Sequence, residues 1–273
     1  MNKIKLGFIG GGGNSLIGVV HRIASQMFDK YEIVGGVFNT DWNKNINFSK
    51  TLGLNQDRIY KDIDDLINNE MKLPQSQRMS TISILTPNFL HFPMAKKLIK
   101  KGFNIICEKP LTTSYKEALE LESLNKEYKT VFGVTYTYTG YPMIRQMKQM
   151  IADGEIGKVQ KIDMQYYQGW INPIIHDKKK RNEVWRLSPK KSGISCCIGD
   201  IGSHAFDMLE YVTDIKVLKI LSDLNYMYDD NPLDIDGTIL VRMNNGSKGV
   251  IRASQIATGE ENNFTVAIYG EKG

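Results

Sequence analysis

Short apolar runs bounded by turn residues alternate with helical patterns through the first half of the chain, and this alternation restricts the fold more than any other feature. "KIKLGFIG" reads as a buried strand, and "LIGVVHRIASQMF" carries apolar residues at helical spacing. "YEIVGGVF" is a second strand, followed by "FSKTLG", "DIDDLINN" and a polar insert around Pro74, then the strand "TISILT". "HFPMAKKLIKKG" predicts a helix with Phe92, Ala95, Leu98 and Ile99 on one side, a proline near its start and Gly102 at its stop. "FNIICE" is a strand, "SYKEALELESLNKEY" a helix capped by Ser114 with Glu117 three residues on, and "TVFGVTY" a strand. Strands and helices in this order imply parallel strands with right-handed crossovers, an α/β doubly wound sheet over residues 1–133.

After Gly133 the pattern changes. "MIRQMKQMIADGEIG" is a helix ending at a glycine turn, and "KVQKIDMQYYQGW" alternates like a half-exposed strand. "KVLKILSDLNYMY", "IDGTILVRM", "KGVIRASQIA" and "NFTVAIYG" follow, joined by turn signals such as "NNG". This is the profile of an α+β domain over 134–273 with a largely antiparallel sheet. The sequence stops at "YGEKG", straight after a strand. A closing element is expected beyond it, so the second domain reads as incomplete, with an exposed sheet edge.

Composition excludes several classes. The net charge of +5 over 273 residues comes from scattered lysines, with runs only at Lys96–Lys101 and Lys178–Arg181. No basic stripe with interleaved aromatics points to nucleic acid. Cys107, Cys196 and Cys197 form no disulfide framework or zinc-ligand spacing, which fits a reducing cytoplasm. The apolar start is broken by glycines after a few residues and has no cleavage site. No apolar run is long enough to cross a bilayer, so neither secretion nor a membrane is expected.

In an open parallel sheet, ligands bind outside the carboxyl ends of the strands. The first strand is followed by Gly10, Gly11, Gly12, Gly13, Asn14 and Ser15, then a helix. Glycines let the backbone approach a pyrophosphate, and the helix N-terminus offers free amides. Gly10-x-Gly12 fits the dinucleotide fingerprint, with Gly18 next in a comparable role, so the loop is longer than GxGxxG. The second strand ends at Asn39 and Thr40, with Asp41 next and Lys44 close by. A carboxylate there would hold the ribose of NAD, and small polar residues with a cation would accept the phosphate of NADP. The expectation is NAD, with NADP left open. The later strands run into Thr86, Pro87 and Asn88, and into Glu108, Lys109 and Pro110, where a crevice lysine can be tuned by partial desolvation.

"ILTPNFLH", "GFNIICEKPLTTSYKEA", "ADGEIGKV" and "GDIGSHAFD", in this order, resemble the Gfo/Idh/MocA family of NAD(P)-dependent oxidoreductases acting on sugars, inositols and related polyols. The resemblance covers essentially the whole chain. It implies an active-site lysine in the glutamate-lysine-proline motif, here Lys109, and active-site roles for Asp200 and His204 on a second-domain helix. It also implies a cis Lys109–Pro110 bond and a homodimer or homotetramer formed through the second-domain sheet. The chain departs from the family pattern in its extended glycine loop, in the displaced acid after the second strand, and in lacking the long C-terminal remainder.

Oxidising a secondary alcohol needs a base for the hydroxyl proton, and an imidazole titrates near neutrality, which suits His204. Asp200, four residues earlier and on the same helical face, is placed to orient that ring or hold a neighbouring substrate hydroxyl. Lys109 would stabilise the developing alkoxide. The expected cofactor contacts are Gly10, Gly12, Gly13, Asn14, Ser15, Asn39, Thr86, Pro87, Asn88, His91, Glu108 and Lys109. The expected substrate contacts are Lys109, Tyr138, Trp170, Trp185, Arg186, Asp200 and His204, with Tyr167 and Gln168 as further candidates. Core packing is the expected use for at least half of the secondary contacts Tyr138, Tyr167, Trp170, Trp185, Arg186 and Gln168. Two competing readings are a metal site built from Asp200, His204, His176, Cys196 and Cys197, whose spacing fits no zinc template, and a non-catalytic dinucleotide- or sugar-binding regulator of the same fold.

Overall fold

The structure is a computed structural model and describes residues 3–13, 15–228 and 231–273. The chain divides into two units, Met1–Thr135 and Tyr136–Gly273, each with its own sheet and core.

The first unit carries strands β1 (Ile4–Gly10), β2 (Tyr31–Val37), β3 (Thr81–Leu85), β4 (Asn104–Cys107) and β5 (Phe132–Val134). Helices α1 (Leu16–Gln26), α2 (Trp42–Thr51), α3 (Ile63–Glu70), α4 (His91–Ile99) and α5 (Tyr115–Tyr128) lie between them. All strand pairs are parallel, in the order β2-β1-β3-β4-β5. Every residue of the central β3 is buried, as a parallel strand covered on both faces must be. Ile82, Ile84, Leu98, Ile99, Phe103 and Ile105 centre one cluster, and Leu6, Phe8, Phe38 and Leu85 another. The predicted punctuation of the helices is present. Ser114 accepts from the Glu117 amide, the Glu117 carboxylate reaches back to Thr113, and Gly102 takes a positive φ after α4.

The apolar stripe of α1 does not face the sheet. Leu16, Val20 and Ile23 are 80%, 44% and 57% exposed, whereas Gly18 and Ser25 are buried. Apart from Ile17, which packs against the Leu6 and Phe8 cluster, the inward face of α1 is small and polar.

The second unit carries α6 (Pro142–Ala152), β6 (Val159–Tyr167), α7 (Lys178–Glu183), α8 (Pro189–Ser192), α9 (Ser203–Thr213), β7 (Val217–Tyr228), β8 (Asn231–Met243), β9 (Lys248–Ser254) and β10 (Asn263–Gly270). Its strand order is β10-β6-β9-β8-β7. The sheet is antiparallel as expected except between β6 and β9, which run parallel. Parallel neighbours need a long crossover, and the helix-bearing stretch between these two strands supplies one. Alternate residues Ile162, Met164, Ile239, Val241 and Ile251 pack inward against Ala205, Met208, Leu209 and Val212 of α9. On the other face, register places Leu221, Leu240 and Val250 in one row and Lys219, Arg242, Lys248 and Lys161 in the next.

Candidate active site

The glycine loop of the first unit is shaped by close backbone approach. A Cβ at Gly12 would sit 2.5 Å from the Phe38 carbonyl oxygen, and one at Gly18 only 1.9 Å from that of Gly11. Side chains are therefore excluded where the loop meets β2 and where α1 sits on the loop. Gly13 has φ 57° and open space around it, so its backbone is approachable from outside. Ser15 caps α1 by accepting the Gly18 amide at 3.2 Å, and no acidic side chain stands in the first turn. Such a cradle suits a dinucleotide pyrophosphate, because backbone can reach it and nothing negative repels it. Asn14 lies outside the described residues.

At the end of β2, Asn39 Oδ1 accepts from the Asp41 amide at 2.9 Å, and Asp41 Oδ1 accepts from the Lys44 amide at 3.0 Å as the cap of α2. The displaced acid is thus engaged as a helix cap, and Asn39 and Thr40 remain at the strand end.

Thr86 and Pro87 are half-buried and Asn88 is buried, in the short turn between β3 and α4. His91 is fully buried. Its ring nitrogens lie 2.8 Å from the carbonyl oxygens of Pro110 and Thr86, tying the segments after β3 and β4 together. Burial drives its pKa below the ordinary value despite those two carbonyls. With no exposed surface, His91 braces the two loops.

Glu108 also points inward. It accepts from Thr135 Oγ1 at 2.7 Å and from the Lys109 amide at 3.2 Å, and lies 2.9 Å from His21 Nε2. Lys109 is half-buried, and the Lys109–Pro110 peptide is cis.

In the second unit, Asp200 does not lie on a regular α-helix. Ile198–Gly202 form a π-helical turn leading directly into α9, whose second residue is His204. The turn is braced from β8, because the buried Asp234 carboxylate accepts from the Cys196 and Ile198 amides at 3.1 and 2.6 Å. Ser195 Oγ accepts from the Gly199 amide at 2.7 Å, and the Ser203 hydroxyl donates back to the Gly199 carbonyl at 2.9 Å. Side chains inserted into the helical ladder are a recognised cause of such irregular turns, which recur at functional sites.

His204 is 7% exposed, with Tyr138 and Tyr136 edge-on at 4.8 and 5.4 Å between ring centroids and Tyr166 at 6.1 Å. Tyr138 and Tyr166 share a hydroxyl contact of 2.6 Å, and the Tyr166 hydroxyl donates to Asn262 Oδ1 at 2.5 Å. Burial, reinforced by Tyr138, raises the Tyr166 pKa and keeps that phenol a neutral donor. Asp200 Oδ2 accepts from Gln255 Nε2 at 3.0 Å and lies 3.7 Å from Arg186 Nε, whose guanidinium rests over the Trp185 ring.

The second unit therefore gathers Tyr138, Trp185, Arg186, Gln168, Asp200 and His204 near one another or in one hydrogen-bonded network. Trp170 packs instead with Ile171, Leu187, Cys196 and Leu233, a core use. Tyr167 is half-buried at the end of β6. Gln255, Asn262, Tyr166 and Tyr136 were not singled out by sequence reasoning. Gln255 and Asn262 lie at strand ends and Tyr166 on β6, where strand pairing brings them to Asp200 and His204, while Tyr136 lies in the turn after β5.

No three His, Cys, Asp or Glu side chains among the described residues come together as a metal-ligand set. The thiols of Cys107 and Cys197 are buried, and burial pushes their pKa values up.

Residues 4–136 match the oxidoreductase family with an NAD-binding Rossmann fold, and residues 144–273 match the GFO/IDH/MocA C-terminal domain. The chain belongs to the GFO/IDH/MocA oxidoreductase family. Its first unit is this family's NAD-binding Rossmann domain. The inositol dehydrogenase homolog of Azotobacter vinelandii, solved with NAD+, superposes with a TM-score of 0.92 at 28% identity, over 99% of this chain and 69% of that one. The same A. vinelandii protein has been solved with NADH and myo-inositol. Uncharacterized oxidoreductase YfiI of Bacillus subtilis is 28% identical over 272 residues, 98% of this chain and 69% of the relative. Levoglucosan dehydrogenase of Pseudarthrobacter phenanthrenivorans is 26% identical over 219 residues, 70% of this chain and 53% of the relative. No helix among the described residues is long and apolar enough to cross a membrane.

Proposed function

We propose that this GFO/IDH/MocA chain is an NAD-dependent dehydrogenase of a sugar, inositol or related polyol. The reading rests chiefly on the surroundings of Asp200 and His204. Tyrosine rings, amides and hydroxyls from four segments converge there, a surface that matches a compact ring bearing several hydroxyls. Relatives that act on levoglucosan or were solved with myo-inositol support the same substrate class. The glycine cradle with its cap at Ser15, and the match of residues 4–136 to an NAD-binding Rossmann fold, support NAD as the cofactor.

The glycine cradle from Gly10 to Gly13 and Ser15 would hold NAD, which would supply the hydride acceptor. His204 takes the hydroxyl proton as the hydride leaves, in an aromatic enclosure that holds its ring in one orientation. Asp200, fixed by Gln255, holds a neighbouring substrate hydroxyl. Within the NAD-binding unit, Lys109 is the cation assigned to the reaction, its ammonium suited to stabilising an alkoxide. Arg186 and Trp185 form an adaptable rim.

Incubation with NAD+ and a panel of sugars, inositols and anhydrosugars tests the reading. NADH is expected with at least one of them, and His204→Ala is expected to lower turnover by about a hundredfold or more. Tight NADH binding without turnover on any polyol would favour a non-catalytic binding protein. We also infer a cytoplasmic protein, from three buried cysteines without a disulfide. Self-association through the outward sheet face, where Leu221 and Leu240 are 69% and 53% exposed, belongs to the same reading.

A further inference from the structure

Helix α1 begins at the glycine cradle, and apolar burial alone does not hold it in place. Its inward face offers Ile17, Gly18, His21, Arg22 and Ser25, while Leu16, Val19, Val20 and Ile23 face out. Two polar side chains fasten that face through three contacts. Arg22 Nη1 donates to the Gly11 carbonyl at 2.6 Å, locking the helix to its own loop. His21 reaches across the sheet, with Nδ1 at 3.0 Å from Ser83 Oγ in β3 and Nε2 at 2.9 Å from Glu108 Oε1 at the end of β4.

The His21 and Glu108 side chains are only 10% and 11% exposed. Burial works against the Glu108 carboxylate, but hydrogen bonds from His21 and Thr135, with the nearby Lys109 charge, outweigh it and hold its pKa below the ordinary value. An ionised carboxylate only accepts, so Nε2 of His21 carries the proton of that bond. The other oxygen of Glu108 accepts the Lys109 amide. One buried carboxylate thus holds the cradle helix on one side and the backbone of Lys109 on the other.

We propose that His21 is a positioning residue for the cofactor site, its bond to Glu108 setting the register of α1 and the glycine cradle against the strand end that presents Lys109. The inference rests on the NAD-binding assignment of this unit and adds to it a residue that touches neither cofactor nor substrate. Without the His21 ring, α1 keeps most of its apolar side chains in water and loses its side-chain hydrogen bonds to Ser83 and Glu108. The cradle amides then lose a fixed position relative to Lys109.

Fluorescence titration with NADH on the whole chain, alongside thermal unfolding, tests this. His21→Phe keeps the ring size and removes the bond, and is expected to weaken NADH binding about tenfold. His21→Gln still offers an amide donor to Glu108 and is expected to recover affinity to within about threefold of the wild type. A brace with a purely structural role would lower the melting temperature and leave the affinity of the folded protein unchanged. If His21→Phe does not fold, His21→Asn, too short to reach Glu108, takes its place with the same expected loss. A bond-breaking variant that binds NADH like the wild type, or a glutamine variant as weak as the phenylalanine one, overturns the proposal. A wild-type chain that fails to bind NADH is a different result, and overturns the cofactor assignment together with it.

Discussion

Gln255 is fully buried, and its amide has one orientation that suits its neighbours. The Cys196 thiol donates to Oε1 at 3.3 Å, while Nε2 faces the Asp200 carboxylate at 3.0 Å and Gln168 Oε1 at 3.4 Å. Reversing the amide would set an oxygen against a carboxylate. Gln255→Leu removes the donor and is expected to lower kcat/KM for the polyol by roughly tenfold. Gln255→Glu adds a second negative charge beside Asp200 and is expected to cost more. Steady-state kinetics check both, and unchanged values would remove Gln255 from the site. At this scale the sequence showed Asp200 and His204 through their spacing and the motif around them. Gln255 and Asn262 were illegible because nothing local marks them, and strand pairing alone brings them in.

Helix α1 shows how a periodic pattern misleads about orientation. Its apolar spacing identified a helix, but Gly18 decides which side faces inward, since only a residue without Cβ fits against the Gly11 carbonyl. Gly18→Ala is expected to cost about 3 kcal/mol by overpacking. Gly13→Ala meets open space and is expected to cost about 1 kcal/mol, from the left-handed backbone alone. Urea unfolding of the two variants distinguishes them. In α9, burial raises the Asp207 pKa to about 6, with help from Glu210 and against Lys216. Stability from its protonated form is present at low pH and lost as pH rises from the ordinary carboxyl range through about 6. Asp207→Asn does not titrate, so it should gain on the wild type between about pH 4 and about pH 7, and a constant difference would contradict the assignment. On the outward sheet face, Lys219, Arg242, Lys248 and Lys161 are neighbours across four strands. Lys248→Glu places an acid between two bases and is expected to stabilise the chain by about 0.5 kcal/mol at low salt.

At the scale of the whole chain, both fold classes were legible, because alternation of strand with helix and runs of strand with turn each admit few architectures. The parallel β6–β9 pair was not, since register between distant strands leaves no trace in either segment. The NAD-binding fold likewise followed from a glycine loop between strand and helix, although its acid had moved to the cap of α2. The inward turn of Glu108 and His91 was hidden, because a motif names residues and not the direction in which they point. The central claim, that this chain moves a hydride from a polyol carbon to the nicotinamide, has a direct test. The polyol selected by the panel is supplied with deuterium on its carbinol carbons, and the reduced cofactor is recovered and weighed by mass spectrometry. The account predicts one deuterium at nicotinamide C4 for each substrate oxidised. Reduced cofactor without the label, or label lost to solvent, would contradict it.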